Sequence, residues 1–225
     1  MHHEPKSRDR GVTAPPRYSV DAYAQSVADI LPGLPILTTT RLQLELLLND
    51  PVVDLKAVTE VILADVGATL QILRTVGREF SATDGRPDRI EDCIVSLSAA
   101  RCHQVVCAPN DSDSESETYA EEWQFRRMRA EHARELARQS EGFSPEEAYL
   151  VGLLHRLGTI PQILGWNINT STSDEDDALG VMLAFHWNLP DCVLSASKER
   201  HEDAETTKWR EILDRADQLT QRPTP

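Results

Sequence analysis

From Ser19 almost to the C-terminus, apolar residues recur three and four positions apart, and nowhere do they alternate with polar ones over a strand's length. Tyr23, Val27 and Ile30 mark a first helical stretch that Pro32 stops. The turn Pro32-Gly33-Leu34-Pro35 follows. Thr38 starts a helix expected to turn Leu42, Leu44, Leu47 and Leu48 inward, and Asn49-Asp50-Pro51 ends it. Asp54 and Asp65 stand where N-caps belong, before helices carrying Leu55, Val58 and Ile62, then Val66, Leu70, Leu73 and Val76. Gly77 reads as the stop of the second. Short helices are expected near 89–96 and 99–108.

Between 111 and 122 six acids fall without a base, after Pro109, which reads as a solvated loop. A long amphipathic helix, rich in arginine on its polar side, is expected from about Thr118 to Ser140. Ser144-Pro145-Glu146-Glu147 has the composition of a capping box with proline at N1. Its helix carries Ala148, Val151, Leu154 and Leu157, and Gly158 is expected to close it. A short turn between Pro161 and Gly165, a polar loop over 167–173, and helices near 174–187, 190–202 and 205–220 complete the chain. The pattern predicts an all-α multi-helix bundle of roughly a dozen short helices. It divides into a disordered tail (1–18), an N-terminal helical lobe (19–108), a second lobe (118–220) and a frayed end (221–225).

Composition narrows the function classes. The chain has 225 residues, 40% hydrophobic and 27% charged, with a net charge of −14. Affinity for nucleic acid comes largely from Lys and Arg against phosphate, so the charge of this acidic chain disfavours such a partner. No apolar run approaches the ~20 residues of a membrane helix, and Met1 to Val20 has no secretory h-region, so a cytoplasmic protein is expected. Cys93, Cys102, Cys107 and Cys192 form no CxxC pair and read as reduced, mostly buried thiols. Asp111-Ser112-Asp113-Ser114-Glu115 lacks the glycine of a calcium loop, with Ser116 in its place. No phosphate-binding glycine loop or nucleophile elbow occurs.

The remaining chemistry centres on Gly152-Leu153-Leu154-His155-Arg156-Leu157-Gly158. By itself His155 is one histidine on an apolar helix. The phrase resembles the G-L-L-H-D-I-G of the HDOD domain, a relative of the HD metal-dependent phosphohydrolases. Leu31-Pro32-Gly33-Leu34-Pro35, Asn49-Asp50-Pro51, Ala64-Asp65-Val66, Ile90-Glu91-Asp92-Cys93-Ile94, Leu97-Ser98, Trp187-Asn188-Leu189-Pro190 and Ala216-Asp217 are similar to further family motifs in the same order, covering about residues 28–220.

The resemblance implies an HD-like C-terminal part and a role in signal transduction through a protein partner or self-association. It also implies former metal-site positions at His155, Arg156, His201 and Asp217. Arg156 stands where the family has aspartate, and a guanidinium has no lone pair for a metal. Phe125-Arg126, Asp176 or Asp177, and Arg200 fall at other departures. The expectation is a non-catalytic domain without cofactor. Two alternatives stay open. One is a divergent phosphohydrolase using His155, His201 and Asp217. The other is a nucleotide or anion sensor using Arg126, Arg156 and Arg200. His132, on the long helix, reads as a surface or interface histidine.

Overall fold

A computed structural model describes residues 34–80, 87, 89–108, 119–164, 173–197 and 204–220. The described elements are α1 (Thr38–Leu48), α2 (Leu55–Leu63), α3 (Val66–Glu79), α4 (Ile90–Leu97), α5 (Ala99–Val106), α6 (Ala120–Arg138), α7 (Pro145–Leu153), a 3-10 turn (Leu157–Thr159), α8 (Ile160–Ile163), α9 (Ser173–His186), α10 (Asp191–Ser197) and α11 (Ala204–Leu219). The fold is all-α, and no described residue lies in a strand. The first helical stretch read in the sequence, His201, Arg200 and most of the acidic loop lie outside the described residues.

Local chemistry sets the helix starts. Asp54 accepts from the amides of Lys56 and Ala57. Asp65 accepts from Ala68, and Ser144 from Glu147, each satisfying donors that a first helical turn leaves without partners. Ser98, at φ 69°, both ends α4 and caps α5 through Arg101.

Packing sets the ends, and here two sequence expectations fail. Gly77 does not stop α3, which runs on to Glu79. A Cβ there would lie 2.8 Å from the Asn188 carbonyl oxygen, so the glycine admits the turn after α9, whose Asn188 amide donates to the Gly77 carbonyl (2.8 Å). Likewise α7 ends at Leu153 rather than Gly158, and the chain then turns sharply, with Arg156 in the left-handed region (φ 52°). On α1 the buried positions are Thr40 and Leu44, and Leu42, expected inward, is exposed. Of the four thiols, Cys93 and Cys102 are buried, while Cys107 and Cys192 are half-buried.

The helices α1–α5 pack around Leu34, Val58, Ile62, Leu70, Leu73, Ile94 and Val106. The same apolar cluster continues through Trp123, Leu153, Leu157 and Leu183 into α6, α7 and α9. Two long-range hydrogen bonds stitch this junction: Trp123 Nε1 donates to the Pro35 carbonyl (3.4 Å), and the Tyr149 hydroxyl to the Leu63 carbonyl (2.9 Å). A second cluster holds α11 against α6 and α7 through Ala133, Val151, Trp209, Ile212, Leu213 and Ala216. Between α6 and α7 the backbones approach closely: a Cβ on Gly152 would sit 2.9 Å from Ala130 Cα.

Candidate functional site

The turn after α7 is held from two sides. Gly158 abuts α9 so closely that a Cβ there would lie 1.9 Å from the Asp176 carbonyl oxygen. From the other side α6 presents Arg126, which is 2% exposed. Its Nη1 donates to the His155 carbonyl (2.7 Å), its Nη2 to Thr159 Oγ1 (2.9 Å) and its Nε to Glu122 (3.1 Å). Burial lowers the Arg126 pKa to about 10, against the pull of Glu122.

One turn further along α6, Arg129 bonds through Nε to the Asp217 carboxylate of α11, and its guanidinium lies 5.1 Å from the centre of the Phe125 ring. His155 Nε2 is 3.7 Å from the second Asp217 oxygen, with the imidazole 5% exposed. Burial, then the positive charges of Arg129, Arg156 and Arg126, push the His155 imidazole well below its usual pKa. His155 is therefore the neutral base of this cluster at neutral pH.

Of the sequence-derived positions, the structure brings together His155, Asp217 and Arg126. Arg156 is adjacent in the chain, but its side chain is exposed. It borders a narrow cleft of about 10 Å³, room for one water, with His155, Asp176, Asp177 and Ser197. His132 is half-buried on α6. Among the described residues, no three His, Cys, Asp or Glu side chains converge as a metal-ligand group.

Arg129 is the residue the sequence reading passed over, counting it with the polar side of the helix. A signal for it exists. Trp123, Arg126, Ala130, Ala133 and Ala137 recur at helical spacing on the buried face of α6, and an arginine within that stripe must carry its charge inward. Arg129 borders the same stripe.

The profile of the HDOD domain family matches residues 34–164. Two solved structures of the MmoQ response regulator from Methylococcus capsulatus str. Bath resemble the chain at a TM-score of 0.66 and 20% identity. One, a fragment of residues 20–298, is matched over 84% of each chain, and the other over 85% of this chain and 87% of its own. At that identity the likeness is one of fold. No curated protein matches the sequence. The profile match takes in more than half of the chain, from the start of α1 through the His155 turn and α8, and with it the chain belongs to the HDOD family.

Proposed function

We propose that this protein is a non-catalytic signal-transduction domain, acting in the cytoplasm through a protein partner or self-association, in which the HD metal site is degenerate. The observation that carries this reading is the Arg129–Asp217 ion pair beside His155. A divalent cation needs the lone pairs of the carboxylate and the imidazole. One carboxylate oxygen already accepts from a guanidinium, and three arginines oppose further positive charge at His155. Among the described residues no three ligand side chains converge, and those at this site do not fit a metal ion that would activate water. Membership of the HDOD family and the fold shared with a response regulator support the signalling role. No helix among the described residues is long and apolar enough to cross a membrane.

The same geometry weighs against an anion sensor at this site. Arg126, one of its three arginines, is buried and already directs a donor from each nitrogen to Glu122, the His155 carbonyl and Thr159. Elemental analysis of the tag-free protein, beside His155→Ala, tests the reading. Substoichiometric transition metal in both, with no manganese-dependent phosphodiester hydrolysis, is expected. Near-stoichiometric metal that His155→Ala loses, or turnover that the same change abolishes, overturns it.

A further inference from the structure

The second apolar seam ends in charge. Ala133 and Ala216 belong to it; Arg129 lies one helical turn before Ala133 on α6, and Asp217 directly follows Ala216 on α11. Asp217 Oδ2 and His155 Nε2 converge to 3.7 Å. Two ligands on one tetrahedral ion with bonds of ~2.0–2.1 Å stand about 3.3 Å apart, so this carboxylate and imidazole are within a few tenths of an ångström of chelating spacing. What lies against the carboxylate is the Arg129 side chain, 8% exposed and packed on Phe125. Three chain segments therefore meet at one positive charge: α6 supplies it, α11 answers it, and the His155 turn borders it.

We propose that the Arg129 guanidinium is a built-in cation, holding α11 on α6 beside the His155 turn as a bound ion would, and that its removal opens a cation-binding site for a small guanidinium or a divalent metal. This rests on the reading of the metal site as degenerate and adds to it what replaced the ion. Paired buried charges resist the loss of one partner because the other is left uncompensated. Asp217 is about a third exposed (31%), so without Arg129 it rehydrates in part and keeps an unpaired oxygen on its covered side, with His155 as the second donor beside it. A cation entering the space vacated by the side chain restores the balance.

The test is chemical rescue. Arg129→Ala is expected to melt below the wild type. Methylguanidinium at tens of millimolar, or zinc at micromolar concentration, is expected to restore more than half of the lost Tm. The rise should be absent from the wild type and from Arg129→Ala/Asp217→Asn. The zinc response, but not the methylguanidinium response, should vanish in Arg129→Ala/His155→Ala. If Arg129→Ala does not fold, Arg129→Lys against Arg129→Met replaces it: the charged variant should keep most of the wild-type Tm and the neutral one should not. A folded Arg129→Ala that neither cation stabilises, or equal melting of the Lys and Met variants, overturns the proposal. In those cases a metal-free wild type leaves the functional reading standing. Metal in the wild type that His155→Ala loses brings that reading down instead.

Discussion

Two buried charge sites lie in different regions of the molecule and are satisfied by different means. At the α2–α3 junction, Asp65 is 0% exposed and faces backbone dipoles: it accepts from the amides of Ala68 (3.0 Å) and Leu37 (2.8 Å), with Thr40 and Gly67 also donating. At the α6–α11 junction, Arg129 meets Asp217, and Arg126 meets Glu122 and a carbonyl. Asp65 serves mainly the backbone, with the Thr40 hydroxyl beside it, tying the entry to α1 onto the start of α3. Arg129 joins α6 to α11 beside the His155 imidazole, and Arg126 joins α6 to the turn that carries it. The difference teaches that a buried charge can staple neighbouring backbone or can pair side chains across separate helices.

The largest effect should come from the staple. Asp65→Ala removes the α3 cap and strands buried amides, at about 3 kcal/mol, read as a lowered midpoint in urea with an unchanged slope. Asp65→Asn should recover part of this. Arg126→Met should cost less, about 2 kcal/mol, because Glu122 is partly exposed and can rehydrate. If Arg126→Met proves the costlier, the contrast between staple and site reverses.

Acid separates the regions by sign. His155 has a lowered pKa in the fold, so the unfolded chain takes up its proton first. The stability it confers is complete above about 6.5 and falls away as the pH drops below that value. Asp65 runs the other way. Burial raises its pKa, so its contribution is complete below 3.8 and is lost as the pH rises through its folded value. Midpoints measured from pH 7.5 to 5 should decline less steeply in His155→Gln than in the wild type, by no more than about 1.4 kcal/mol per pH unit. Carried on from pH 5 towards 4, the decline should be steeper in Asp65→Asn than in the wild type. The smallest effect belongs to the surface. Glu79→Ala breaks the exposed pair with Arg101, and the shift should stay under about 0.5 kcal/mol and shrink further in salt.

How much of this was legible differs by the kind of residue. Caps act within a few residues, so Asp54, Asp65 and Ser144 announce the helices they start. Helix ends depend on what packs against them. Gly77 and Gly158 resemble stops, yet both are glycines because distant backbone, at Asn188 and at Asp176, leaves no space for a Cβ. The inward expectation for Leu42 fails because α1 buries only Thr40 and Leu44. His155, Arg126 and Asp217 were each marked by the family resemblance. Arg129 was not, because an arginine-rich helix reads as a solvated face until the burial of its neighbours is weighed.

The close approach of Gly158 to the α9 backbone, at the Asp176 carbonyl and the Gly180 amide nitrogen, has a mechanical side. No side chain cushions the backbone of α9 from the turn that follows α7, so no rotamer change can absorb a displacement there. A load applied along α9 passes without slack to the His155 carbonyl, and through Arg126 into α6. The turn is thereby a stiff link between α9 and α6.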